Sequence, residues 1–245
     1  MYLDVFSDNS YETNCWLIAA DGTDDAVVVD PGFSAGRVHA LLREAGKTPV
    51  AALATHGHAD HVGAAAEFCG DDLPLHIHEA DALALSDPEG WGAGYGREPI
   101  PVKDVRTLAD GDVLSFAGFR VDVMHTPGHT PGSVCFVTDG WVLSGDLVFA
   151  GTIGRSDFPN SSPADMRGSL DRFLRLPDPL LVLPGHGPRT TVERERASNP
   201  YLRGVRGSEG ASADARAVDP RRRGVRGSEG ASADARAVDP RRRRP

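Results

Sequence analysis

Short apolar runs broken by glycine, proline and acidic turns fill the first two hundred residues. Residues 2–6, 13–19, 26–29 and 50–54 read as strands. The turn Asp21-Gly22-Thr23 separates the second from the third, and Asp30-Pro31-Gly32 closes the third. Between 29 and 50 the apolar spacing turns helical, with Ser34 as cap, a run to about Glu44 and Gly46 as stop. Asp60 opens a helix expected through Phe68, with Cys69-Gly70-Asp71-Asp72 as its exit. Residues 75–77 predict a strand and 79–85 a short helix. Strands follow at 113–116, 119–125, 133–138 and 141–144, then a helix over 163–174, a strand at 180–183 and a helix over 192–197. Two similar blocks of strands and helices, with helices able to cover both outer faces, predict an α/β (α+β) fold built as a four-layer αββα sandwich.

Two segments break the pattern. Residues 86–104 are rich in glycine and proline and carry Trp91 and Tyr95, which predicts a loop covering a site. Residues 203–222 are repeated without change at 223–242. This tail has no aromatic residue and only four valines, too little apolar surface to offset the entropy of ordering. The expectation is one folded domain over 1–202 and a disordered tail over 203–245. Charge divides at the same place. The tail holds 12 arginines against six acidic residues, which leaves 14 basic against 29 acidic residues in 1–202, a net of −15 within the whole-chain −9. An acidic body is a poor match for nucleic acid, whose phosphates supply most of such affinity. No apolar run is long enough to span a bilayer, and residues 1–6 do not read as a signal peptide. Cys15, Cys69 and Cys135 are an odd, sparse set outside any CxxC pair, which predicts reduced thiols and a cytoplasmic protein without nucleic-acid or membrane partners, a monomer or small homo-oligomer.

The chemistry is concentrated just after four of the expected strands. His56-Gly57-His58-Ala59-Asp60-His61 holds four ligand-type side chains in six residues. His129, Asp146 and His186 follow three later strands, in Pro127-Gly128-His129, Ser144-Gly145-Asp146 and Pro184-Gly185-His186-Gly187. Strand ends converge on one rim of a sheet. In extended chain, His56 and His58 point to the same side and reach one metal ion, with Gly57 allowing a tight turn between them. Asp60 and His61 diverge from them and suit a second ion. His129 completes the first set and His186 the second. Asp146, with two oxygens, bridges. Asp60 and Asp146 are the two acid groups on which the chemistry depends. Imidazoles with few carboxylates suit two Zn²⁺ ions, and iron or manganese also accept the set. Two such ions hold a hydroxide at neutral pH for attack on a carbonyl, and a thiolate leaves without a strong general acid. Asp30, Thr55 and Thr130 are expected to brace the ligands. Arg155 and Asp157 are expected to pair with each other. His76 and His78 read as structural or surface residues, His125 as a support near its strand end, and Asn14 as a turn or strand-edge residue.

These residues resemble the metallo-β-lactamase-fold hydrolases, and among them the short, type II glyoxalase II group. The resemblance rests on Thr55 to His61, the Val29-Asp30-Pro31-Gly32 turn, Pro127-Gly128-His129-Thr130-Pro131-Gly132, Ser144-Gly145-Asp146, Gly154-Arg155-Ser156-Asp157-Phe158, Pro184 to Pro188 and Asn199-Pro200. It covers residues 1 to about 202. It implies the αββα fold, one zinc on His56, His58 and His129, a second on Asp60, His61 and His186, and Asp146 between them. It also implies hydrolysis of a small-molecule thioester, an S-2-hydroxyacyl thiol such as S-lactoylglutathione. Only about 16 residues of the body follow His186, so the C-terminal helical domain of the longer glyoxalase II enzymes is not expected. The thiol carrier then stays open among glutathione, mycothiol and other small thiols. Three rivals share the ligand chemistry or the fold: a mononuclear iron persulfide dioxygenase, a β-lactamase or lactonase, and a nuclease or RNA-binding protein. A non-enzymatic thiol-binding scaffold is the fourth.

Overall fold

The computed structural model describes residues 1–8, 11–88, 98–116 and 118–205. The central part of the expected covering loop (89–97) and the tail from 206 onward lie outside the described residues. Among the described residues there are two six-stranded sheets. The first has β1 (Tyr2–Asp8), β2 (Thr13–Ala19), β3 (Asp25–Val29), β4 (Thr48–Leu53), β5 (Leu75–His78) and β6 (Val105–Leu108) side by side in chain order. The second is formed by β7 (Val113–Phe116), β8 (Phe119–His125), β9 (Val134–Val137), β10 (Trp141–Gly145), β13 (Leu181–Pro184) and β14 (Thr190–Thr191), in the order β14-β13-β10-β9-β8-β7. A small ribbon pairs β11 (Val148–Phe149) with β12 (Thr152–Ile153).

Period-2 alternation makes the layers. In β2, Cys15, Leu17 and Ala19 face outward while Trp16 and Ile18 face the other sheet; in β3, Ala26 and Val28 face out, Val27 and Val29 in. The inward set meets Val121, Val123, Val134, Phe136, Leu143 and Leu183 of the second sheet. On the outer face of the first sheet lie α1 (Ala35–Ala45), α2 (Ala59–Val62), α3 (Ala65–Cys69) and α4 (Leu83–Ser86), contributing Val38, Leu42, Val62, Phe68 and Leu85 to one core. On the outer face of the second lie α5 (Pro163–Phe173) and α6 (Val192–Ser198), with Met166, Leu170, Phe173 and Val192 in another. The expected four-layer αββα sandwich is the observed one. Helix starts follow sequence chemistry. The Ser34 side chain accepts from the Arg37 N–H, Ser162 from Asp165 and Thr191 from Arg194. Gly46 ends α1 with φ of 63°. All three cysteines are buried without a disulfide. No helix among the described residues is long and apolar enough to cross a membrane.

Two expected helices are each split. The helix from Asp60 breaks between Val62 and Ala65, because the turn after β3 takes its hydrogen bonds. The Gly32 N–H donates to the His61 carbonyl (3.0 Å), and the Ala64 N–H donates to the Gly32 carbonyl (2.7 Å). Residues 79–85 form a 3₁₀ turn, Glu79–Asp81, before α4, and Asp81 binds other loops. The strands β6, β11, β12 and β14 have no counterpart in the sequence reading; three are two residues long, below what a period can reveal. His76 and His78 are both buried.

Phe136 is fully buried in the layer between the sheets. Phe136→Ala should cost about 3–5 kcal/mol, read as a lower urea midpoint at unchanged slope. A loss below about 1 kcal/mol would show that the two sheets do not pack through this ring.

Candidate metal centre

Strand direction brings the ligand segments to one rim. Parallel pairing puts Val29 opposite Leu53, so the segments after β3 and β4, carrying Asp30 and Thr55-His56, emerge together. Parallel pairing of β10 with β13 does the same for Asp146 and His186. β8 and β10 are both antiparallel to β9 and so run the same way, which carries His129 to the same end.

All seven expected ligand residues meet there, as three overlapping triads: His56, His58 and His129; His56, His61 and Asp146; Asp60, His61 and His186. The His58 Nδ1 lies 3.0 Å from His56 Nε2 and 2.8 Å from His129 Nε2. His61 and His186 approach through their Nε2 atoms at 3.3 Å. Asp146 lies between the sets, with Oδ2 at 3.3 Å from His129 Nε2 and 3.4 Å from His186 Nε2, and Oδ1 at 3.5 Å from His61 Nε2. Asp60 Oδ2 is 3.3 Å from His186 Nε2 and 3.4 Å from His61 Nε2.

The outward ring nitrogens decide what faces inward. His129 Nδ1 donates to the Arg155 carbonyl (2.7 Å), and His186 Nδ1 to the Tyr11 carbonyl (2.8 Å). His61 Nδ1 donates to Asp30 Oδ2 (2.9 Å). The Thr55 hydroxyl gives its proton to Asp30 Oδ2 (2.8 Å), so it accepts from His56 Nδ1 at 3.1 Å. Each tautomer is thus set to turn Nε2 toward the cluster. A group of lone pairs and carboxylates in a buried rim fits a cation, and Asp146 Oδ1 is buried with no hydrogen-bond partner in the protein. The residues present therefore form a His/Asp metal-binding cluster.

Charge in the cluster follows position. Burial lowers His56 far below the ordinary histidine range and His58 to about 3. Burial also opposes charge on His61, but Asp60, Asp146 and Asp30 outweigh it and hold the imidazole well above that range. For His186 burial is likewise overcome, by hydrogen bonds to Asp146 and Asp60, giving about 10. Asp146, though buried, is held near about 2 by His61 and His129. Without metal, the protons on His61 and His186 occupy the positions a cation would take.

The bracing residues form two systems. Asp30 has φ of 54°, a left-handed backbone that aspartate tolerates better than most residues. Its Oδ1 accepts from the Thr55 N–H (2.7 Å), while Oδ2 takes the Thr55 hydroxyl and His61. The Thr130 hydroxyl is hydrogen-bonded away from the ligand rings. It donates to Asp81 Oδ2 (2.7 Å). Asp81, fully buried, also accepts from the Gly57 N–H (2.8 Å) and the Gly132 N–H (2.6 Å), tying the His56 loop to the His129 loop. Burial pushes its carboxyl above the usual range, against these three donors.

Sequence reasoning missed Asp81, whose only signal was an acidic residue in a short polar stretch. It also missed Thr13, whose hydroxyl donates to Asp60 Oδ2 (2.9 Å), and Phe158, whose ring packs edge-on to His58 and His129. Asn14 is no strand-edge residue. It is buried, and its Nδ2 donates to the Pro184 and Gly187 carbonyls, holding the His186 turn. A Cβ on Gly185 in that turn would overlap Asp146 Oδ1. Arg155 and Asp157 pair as expected (2.9 Å). His125 stacks on His78 at 4.0 Å between ring centres and supports the rim from outside the cluster.

The Metallo-beta-lactamase superfamily model matches residues 10–186. The chain belongs to that superfamily. An uncharacterised protein of Mycobacterium leprae is 40% identical over 84% of this chain and 100% of its own length. The hydroxyacylglutathione hydrolase GloC of Haemophilus influenzae is 31% identical over 82% of this chain and 98% of its own. Among solved structures, the BLEG-1 B3 metallo-beta-lactamase superposes with a TM-score of 0.76 at 33% identity, covering 83% of this chain and all of its own. TTHA1623, in a di-iron-bound form, gives 0.71 at 36% identity, over 81% and 99%.

Asp81→Asn replaces one acceptor oxygen by a donor facing backbone N–H groups. It should destabilise the protein by about 1–3 kcal/mol and lower bound metal per chain. The melting temperature with and without chelator, together with metal analysis, checks this; unchanged melting in both states would mean that the carboxylate does not hold the two loops.

Proposed function

We propose that the chain is a binuclear metal-dependent hydrolase that cleaves a thioester, an S-2-hydroxyacyl thiol such as S-lactoylglutathione. The observation that carries this reading is the place of Asp146, whose two oxygens face His61 on one side and His129 and His186 on the other. His129 and His186, both reached by Oδ2, belong to different triads, which supports two ions rather than one. Besides Asp146, the six other ligand groups are five imidazoles and the carboxylate of Asp60, a set that favours zinc; the di-iron form of TTHA1623 keeps iron as the alternative. When bound, two such ions make water a strong nucleophile at neutral pH and stabilise the charge that develops on an attacked carbonyl oxygen.

The protein's own groups do the rest. Asp146 and Asp60 supply the negative charge that holds the ions in place, and the Thr13 hydroxyl orients Asp60. The hydrogen bonds from His56, His61, His129 and His186 to fixed acceptors keep the rings from turning. Phe158 covers the His58–His129 edge and excludes water there. Each carboxylate of the cluster faces the ligand set, so a leaving group that needs no proton is favoured. A thiol with a pKa of about 8.5 leaves as thiolate, whereas an amide nitrogen needs a proton donor. The similarity to GloC supports the same substrate class.

Purified full-length protein, with its metals counted, should bind two ions per chain and turn over S-lactoyl thioesters faster than glutathione persulfide or a β-lactam. His58→Ala should abolish that turnover and reduce the metal content. Binding of one ion under every loading condition, with oxygen uptake on the persulfide, would replace this reading by the iron oxygenase. Preference for the β-lactam would replace it by a lactamase.

A further inference from the structure

On the face made by α5 and the residues after α6 lies a cavity of about 290 Å³. Arg167 of α5 and Arg203 after α6 line it, together with Ser156, Tyr201, Met166 and Leu170. Neither arginine side chain has an ion pair or hydrogen bond among the described residues. Arg106, Arg120 and Arg172, by contrast, are paired with Asp104, Asp122 and Asp110. Two guanidinium groups left without counter-ions at one concavity match an oxyanion, which they can take by paired N–H donation. Local positive charge matters more here because residues 1–202 carry 14 basic against 29 acidic residues and repel anions elsewhere.

Two residues that line the cavity adjoin the His129 loop. Met166 packs so closely on Gly128, next to His129, that a Cβ there would collide with its backbone. Ser156 follows Arg155, whose carbonyl accepts from His129 Nδ1 at 2.7 Å. We propose that this pocket binds the carboxylate end of the thiol carrier, so that the substrate is a thioester of an anionic thiol rather than a neutral one. The assignment rests on the thioesterase reading, and it supplies carrier recognition from the αββα body itself.

S-methylglutathione carries two carboxylates and no thioester, so calorimetry reads its binding without turnover. The full chain should bind it, and Arg167→Gln/Arg203→Gln should weaken that binding by about ten-fold or more. Neutral S-methyl-N-acetylcysteamine should show no such dependence. Equal affinity in both proteins, or equal weakening for the neutral probe, overturns the assignment. Arginine-dependent binding of inorganic phosphate without binding of S-methylglutathione overturns the carrier and leaves an anion site of another kind. Both arginines are exposed, and the melting temperature checks folding. If the double variant does not fold, Arg167→Glu alone, which reverses the charge at the pocket, must weaken binding at least as much. The two readings fail separately. Arginine-dependent binding by a chain that hydrolyses no lactoyl thioester removes the catalytic reading and keeps the pocket. Hydrolysis with arginine-independent binding removes the pocket alone.

Discussion

The mutual repulsion of imidazole lone pairs and carboxylates gathered in one buried rim is the constraint on which the rest of the structure depends. His56, His58 and His129 bring nitrogens within 3.0 Å of one another in the two closest pairs. Asp60 and Asp146 add negative charge beside His61 and His186. Such a group is unfavourable unless a cation, or protons in its place, sits among it. The chain must therefore hold the loops together before the metal does.

Buried carboxylates away from the cluster do this holding. Asp30 joins the end of β3 to the start of the His56 loop and fixes the ring of His61. Asp81 joins the His56 loop to the His129 loop through two backbone N–H groups and a threonine hydroxyl. Cross-sheet donors complete the ring. The Trp16 Nε1 and Asn14 Nδ2 of the first sheet both donate to the Pro184 carbonyl of the second, each at 3.0 Å, which fixes the His186 turn. These bonds satisfy buried polar groups, so they offset desolvation as well as setting positions.

The same economy of rigid supports explains where recognition is available. The rings of the cluster are locked, and Phe158 lies over one edge. Arg155, beside the centre, is engaged with Asp157 and stacks over Phe158. Arg167 and Arg203 show no such engagement among the described residues, and both line the cavity at α5.

The seven candidate ligand residues, the strands that precede them and the αββα layering were legible in the chain because each depends on local order. Alternation marks a buried strand, and ligand-type residues just after such strands must reach a common rim. The same holds for Ser34 and Gly46, whose effects act within one helical turn. Only the tertiary structure decided the supports. Asp81 meets partners 24, 49 and 51 residues away, and Asn14 meets Pro184 across 170. No period or spacing encodes such a meeting, since a polar residue that will be buried looks like one that will be solvated until its partners arrive. The split of the helix after His58 has the same origin: Gly32, brought in by strand pairing, takes hydrogen bonds that the local sequence would have spent within the helix.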